Sequence, residues 1–294
     1  MSGRVLRVCL AWRLSHCLDA ARTHETLSAC DVFSCPRVGH RYMLVKGLML
    51  STLGLIKLSY CKKSLGIDGS ACQTMGAIAQ APWAIKGAIG VLSDAYPLLG
   101  YHKASYIMVA ATMGTCAFLG LATLPITSAA IAGLLMFAAN LEIATADLLC
   151  EGKYAELMQT KPKTGSTMVS YVWGCFQVGS MVAACFVGPV ADAYDPKVLF
   201  FVLTPIAASI MIPTGLGYLG DERVPDEQAG FKTDLIRQYP YIIAFCLVMA
   251  VCAIGTSAPC RECPVSRQCP DCFDSCAAMP LLTSLLCVLV LVLT

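Results

Sequence analysis

Residues 104–124 read ASYIMVAATMGTCAFLGLATL, a run without one charged side chain. As a helix rising ~1.5 Å per residue, such a run spans about 31 Å, enough to cross ~30 Å of hydrocarbon. Similar apolar runs lie near 43–60, 71–93, 128–149, 165–188, 197–219 and 239–258, which with the first gives seven expected spans. Helices are the expected form, because a lone span has to satisfy its backbone hydrogen bonds internally.

The whole chain agrees with this reading. Of its 294 residues, 57% are apolar and only 14% charged, and the mean hydropathy is +0.67. Soluble domains carry about 25% charged residues, so a soluble enzyme, a DNA-binding domain and a secreted disulfide scaffold all fit poorly. The net charge of +2 is uninformative about partners, because in a membrane protein the distribution of charge matters more than its sum. No nucleic-acid partner is expected; membrane lipid is.

Charged and turn-forming residues mark the breaks: Lys62, Lys63 and Asp68; Asp94, Pro97, Gly100 and Lys103; Pro125; Lys153 to Lys163; and Asp192, Asp195 and Pro196. The expected organisation is a basic, disordered N-terminal extension over 1–42, a six-helix unit over 43–219, a polar cytosolic loop over 220–238, a seventh span over 239–258 and a Cys-rich segment with a short apolar tail over 259–294. With the N-terminus inside, one face gathers fourteen Lys and Arg, seven of them assigned to the flank ahead of the first span. The other face holds five: Lys62, Lys63, Lys197, Arg261 and Arg267. That asymmetry favours an inside N-terminus.

The two ends differ from the middle. Residues 1–18 contain no acid, as in a transit peptide. Arg4, Arg7 and Arg13 do not share a helical face, so a disordered cytosolic extension is the plainer reading. Near the other end, Cys260, Cys263, Cys269, Cys272 and Cys276 form C-x2-C-x5-C-x2-C-x3-C. Paired C-x2-C units can hold zinc through thiolates, but the middle gap is short for a finger and no His is near. Disulfides, or a segment without an evolved role, are the alternatives. Residues 280–294 would make a helix of only about 22 Å, and they lack the polar spacer of a lipid-anchor signal.

The second span closes on Pro82-Trp83-Ala84-Ile85-Lys86-Gly87-Ala88-Ile89-Gly90-Val91-Leu92-Ser93-Asp94 and continues to Gly100-Tyr101-His102-Lys103. Pro82 removes a helical hydrogen bond, and Gly87 and Gly90 allow close helix approach. Asp94 is expected at the inner surface, accepting from a helix N-terminus or pairing with a cation. Span four carries Ala146-Asp147-Leu148-Leu149-Cys150-Glu151, then Ala155-Glu156. The G-x3-D core at Gly90 and Asp94 is similar to the signature of major facilitator transporters. The fuller string resembles the folate–biopterin transporter family, whose pattern is P-W-x2-K-P-x2-G-x2-S-D followed by G-Y-R-R, with A-D-x3-D and A-E in span four. Gly87 stands where that family has Pro, His102 and Lys103 where it has two Arg, and Glu151 where it has Asp. Ser59-Tyr60 and Leu65-Gly66 also match.

The resemblance covers about 43–258 and implies an all-α fold, the N-terminal six-helix half of a major facilitator transporter plus a seventh span. Family members have twelve spans in two halves with substrate bound between them, so the chain is expected to be a truncated form, or to need a complementing half. The implied function is secondary, proton-coupled carriage of folate or biopterin, with the plasma membrane or an organellar membrane as its place. No cofactor is implied, and no G-x4-G-K-S/T string for ATP occurs.

Asp147 and Glu151, four residues apart, share a helical face. Acids within a span are costly and usually face a cavity or a partner. Two such carboxylates do not both ionise cheaply, so one is expected to hold a proton, which suits coupling; a carboxylate would equally suit the N–H edge of a pterin. The plain alternative makes Glu151 a solvated helix end. Glu142 is a third candidate by depth alone. Lys86, Gly90, Asp94 and Lys103 are assigned to an inner gate, with snorkelling as the alternative for Lys86. Trp83 and Trp173 could stack on a flat ring, as could Tyr171 and Phe176, although aromatics in spans more often pack or form interfacial belts. The rival functions are a non-transporting partner that oligomerises through Ala110/Gly114 or Gly179/Ala183, and a facilitator for an unrelated solute. An intramembrane enzyme is disfavoured: no His falls within a span and no paired catalytic string occurs.

Overall fold

In the computed structural model the first apolar run is one helix, α1, Pro36–Ser59, which continues through a wider π-type turn at Tyr60–Leu65. The structure describes residues 36–160, 165–217 and 237–257, with 219, 221, 223–224 and 230–232 between them. The expected extension up to residue 35, the Cys260–Cys276 cluster and the tail lie outside the described residues.

Local chemistry sets the first hairpin. Gly66 ends the π turn in the left-handed region, φ 62°, which costs glycine nothing. Two residues later Asp68 starts α2, Gly69–Ala95, by accepting from the Ala71 backbone N–H at 3.2 Å and the Ser70 hydroxyl at 2.7 Å. Those bonds, Ser70 first, hold the Asp68 carboxyl below its ordinary range. The cap is therefore intact above the usual carboxylate range and is lost as pH falls through the lowered value.

The remaining helices are α3, Ala104–Thr123; α4, Ala129–Thr160; α5, Gly165–Ala193; α6, Lys197–Ala208; α7, Met211–Gly215; and α8, Pro240–Ser257. The sixth run is broken at Ser209–Ile210. Pro213 has no N–H to return to the Ser209 carbonyl four residues back, and the Ser209 and Thr214 hydroxyls turn instead to the Ile206 and Ile210 carbonyls.

Five helices among the described residues are long and apolar enough to cross a membrane: Tyr42–Leu65, Ala104–Thr123, Ala129–Ala155, Val169–Ala193 and Lys197–Gly215. The fold is thus that of an all-α, multi-span membrane protein. Helix α2 has the length of a span, but Gln73, Thr74, Gln80, Lys86, Ser93 and Asp94 dilute its apolar character. Helix α8 is 18 residues long and apolar over Pro240–Val251.

Helix α4 sits among α1, α2 and α3, while α1 pairs with α5, α3 with α6, and α2 with α8. Tyr60 and Phe200 meet edge to face at 5.1 Å in a core that includes Met49, Ile56, Met75, Ile107, Phe118 and Leu121. Outward positions such as Leu134, Phe201 and Tyr241 stay apolar, as a lipid-facing surface requires. The α1–α5 pairing depends on two glycines. A Cβ on Gly47 would collide with the Phe176 carbonyl, and one on Gly179 with the Leu44 carbonyl. Small residues at such a crossing let the backbones touch, which is how helices bind where no hydrophobic force separates them from lipid.

The two small-residue faces considered for oligomerisation are used within the chain. Gly114 faces Glu142 of α4, Gly179 faces α1, and Ala110 and Ala183 are buried.

Candidate functional site

Helices α1, α2 and α4 bring four charged side chains to one level of the bundle. Asp147 on α4 is 3% exposed and forms an ion pair with Lys46 of α1 through Oδ1. Its second oxygen lies 3.5 Å from Lys86 Nζ of α2, and Lys86 lies 3.8 Å from Glu151 Oε2. The four-residue spacing of Asp147 and Glu151 sets both acids on the face that Lys86 approaches. Glu151 and Lys86 remain partly exposed.

Aromatic rings flank both lysines. Lys46 Nζ sits 5.2 Å from the Trp173 ring centroid and 5.1 Å from that of Phe176, both on α5. Lys86 Nζ is 5.6 Å from the Trp83 ring. Cation–π attraction strengthens as water is removed, so these rings stabilise the lysines where hydration is poor. Trp83 Nε1 also donates to Asn140 Oδ1 at 3.2 Å, and Asn140 Nδ2 donates to the Met136 carbonyl at 3.0 Å.

Lys46 was missing from the sequence assignment. The basic-residue tally placed it on the inner flank, whereas it lies within α1 and is 9% exposed. A lysine inside an apolar span, with an acid in another span, was the available signal. Two cations, Lys46 and Lys86, stand among the two acids.

The other assigned residues are placed separately. Glu142 is fully buried where α4 meets α3, its carboxyl against Gly114, and neither oxygen has a hydrogen-bond partner among the described residues. Gly90 meets α4 closely: a Cβ there would stand 3.1 Å from Leu148 Cδ2. Gly87 likewise admits Cys246 of α8. Trp173 is 47% exposed and meets Phe176 edge to face.

Asp94 is exposed, and the role expected of it is filled by another acid. The Asp221 carboxylate accepts from the Lys103 and Ala104 backbone N–H groups at 2.7 and 2.9 Å, at the positive end of α3. Val224 and Lys232 also meet the α2–α3 loop. Val224 N donates to the Gly100 carbonyl, Lys232 N to the Ala95 carbonyl, and Lys232 Nζ meets His102 Nε2 at 2.9 Å. His102 Nδ1 contacts the Ser93 carbonyl at 2.8 Å, so the neutral ring with its proton on Nδ1 satisfies both contacts. Lys103 is buried, with Nζ near Gly152 of α4. Asp221→Ala should loosen the start of α3, costing about 1 kcal/mol. Hydrogen exchange over 100–106 checks this; unchanged protection would contradict it.

A recess of about 10 Å³, the order of one water, lies beside the Lys46–Asp147 pair, lined by Tyr42, Met49, Ile143 and Ile210 among others. It has no room for a bicyclic ring. A multi-span bundle with a shared, buried ion pair at one level matches the architecture of membrane carriers, in which intramembrane charge marks the path of a solute or ion.

Residues 46–224 match the BT1 family, which is more than half of the chain, and the chain belongs to that family. Among similar proteins, the Folate-biopterin transporter of Synechocystis sp. is 27% identical over 190 residues, covering 61% of this chain and 38% of that protein. Probable folate-biopterin transporter 2 of Arabidopsis thaliana is 25% identical over 154 residues, covering 52% of this chain and 31% of the relative. Probable folate-biopterin transporter 4 of the same plant is 23% identical over 158 residues, covering 53% and 32%. The chain spans well under half the length of the relatives it matches.

Proposed function

We propose that this chain carries folate or biopterin, or related pterins, across a membrane as a secondary transporter, and is not an enzyme. The observation that carries the reading is Asp147, buried on α4 and shared by lysines from two other helices, in a chain of the BT1 family. A shared carboxylate is a switchable contact. A proton on Asp147, or hydrogen bonds from the N–H edge of a pterin, would weaken its hold on Lys46 and Lys86. A lysine so released can take the carboxylate tail of a folate. Trp83 and Trp173 stand beside these lysines, and in this reading they stack on a flat ring.

In this reading the bundle is the N-terminal half of a major facilitator fold. It works by rocking against a complementing half, or against a second copy of the chain. Lys86, Gly90, Asp94 and Lys103 form the inner gate, and Asp221 holds the backbone of Lys103 beside it. The plasma membrane is its proposed place. Uptake of labelled folate and biopterin into a transport-deficient cell tests the reading. Accumulation above that of cells lacking the chain is expected, and none despite delivery to the membrane contradicts it.

Glu142 is proposed as the coupling group, separate from the ionic cluster. An ionised carboxylate without partners is too costly in such a place, so it can enter the buried site only with its proton. Glu142→Gln, which keeps the shape, should leave folding intact and flatten the dependence of uptake on the proton gradient. A gradient dependence equal to that of the parent chain would remove Glu142 from the coupling role.

A further inference from the structure

Cys61, at the end of α1, and Cys72, in the first turn of α2, are joined as a disulfide with their Cα atoms 5.9 Å apart. Both are buried. Helices α1 and α2 otherwise share little packing, so the bond is their main tie at this end of the bundle. Around it the end is cross-braced. Lys63 Nζ donates to the Ala191 carbonyl of α5 at 2.5 Å, and Ser64 Oγ donates to Asp195 Oδ1, in the α5–α6 connection, at 3.1 Å.

Up-and-down connectivity puts the 60–68, 124–128 and 194–196 turns together at this end. The 96–103 loop, with Asp221, Val224 and Lys232 bonded to it and its flanks, lies at the opposite end, and by sequence the connections on that side carry most of the basic residues outside the spans. Disulfides persist where the compartment is oxidising and are rare where glutathione keeps thiols reduced. Basic loops, by an unrelated rule, stay on the cytosolic side. The two criteria depend on different residues and select the same face.

We infer that Cys61–Cys72 is a structural disulfide formed on the non-cytosolic face, and that the membrane holding this chain has an oxidising compartment on that side. Two thiols lose two protons and two electrons when the bond forms. The electrons pass to a disulfide-bearing oxidoreductase or small-molecule disulfide of that compartment, which is reduced to its dithiol. The inference does not depend on what the chain carries, so a failed uptake assay leaves it standing.

Peptide mapping of the full chain, alkylated in native membranes before any reductant, tests the bond. A peptide pair joined through Cys61 and Cys72, released only by reductant, is expected; alkylation of both thiols before reduction overturns the inference. Native lysines report the side. Lys62 is exposed at the disulfide end and Lys232 at the other. In sealed vesicles with the cytosolic face inward, a membrane-impermeant amine reagent should label Lys62 and spare Lys232 until detergent is added. Labelling of Lys232 first, or of both lysines from one side, overturns the sidedness. Cys61→Ser with Cys72→Ser should remove the linked peptide and lower the temperature at which the purified chain aggregates. A linked peptide that persists in that variant would belong to other cysteines and overturn the assignment.

Discussion

Replacing Asp147 with Asn is expected to destabilise the folded chain by about 3–5 kcal/mol and to bring uptake to background. The substitution leaves Lys46 charged and buried, with its carboxylate gone and only the faces of Trp173 and Phe176 beside it. Lys86 is less affected, because it is partly exposed and keeps Glu151 at 3.8 Å. Lys46→Met should cost less, since Asp147 keeps Lys86 at 3.5 Å. The double variant Lys46→Met with Asp147→Leu separates structure from function. Replacing a whole buried pair by apolar groups is often neutral or stabilising, so this variant should regain most of the lost stability and none of the uptake. Thermal aggregation in detergent measures the first property and labelled-pterin uptake the second. A loss in the double variant equal to the sum of the two single losses would mean that the pair does not couple.

Gly179→Val, like Gly47→Val, is expected to be severely damaging at the α1–α5 crossing. The added Cβ meets the Leu44 carbonyl, which is backbone and cannot turn aside as a side chain would. Overpacking of ordinary cores costs about 1–3 kcal/mol; here two helix backbones have to separate, so the expected cost lies at or above the upper end. Separation also moves Trp173 and Phe176 away from Lys46, so uptake should fall even in the fraction that folds. Gly174→Val, also on α5 but with open space at its Cβ, is the control and should behave as the parent chain. Comparing the monodisperse yields of the two variants by size-exclusion chromatography checks the prediction. Equal yields would contradict the close crossing.

Much of the fold was legible because hydrocarbon is an undemanding reader. Runs such as 104–124 and 197–215 announce themselves by lacking charge, whatever they pack against. Helix α2 was harder to weigh, since the polar residues that give it a place beside α4 also lower its hydropathy. The acids Asp147 and Glu151 could be found from spacing alone. Their cations could not, because Lys46 is 101 positions away in sequence from Asp147 and reads as part of a basic flank. The Asp221 cap on α3 was invisible for the same reason, its partners lying 117 and 118 positions away. Among the described residues one pair of cysteines is bonded: nothing local distinguishes Cys61 and Cys72 until α1 and α2 fold back on each other.

The central claim is that a buried carboxylate held by two lysines carries a pterin-type solute through this bundle. The direct measurement is labelled folate and biopterin uptake in a transport-deficient cell, comparing the parent chain with Asp147→Asn at matched abundance in the membrane. The account predicts uptake by the parent chain and background uptake by the variant. Equal uptake by the two would contradict the role of Asp147, and no uptake by a parent chain present in the membrane would contradict transport itself.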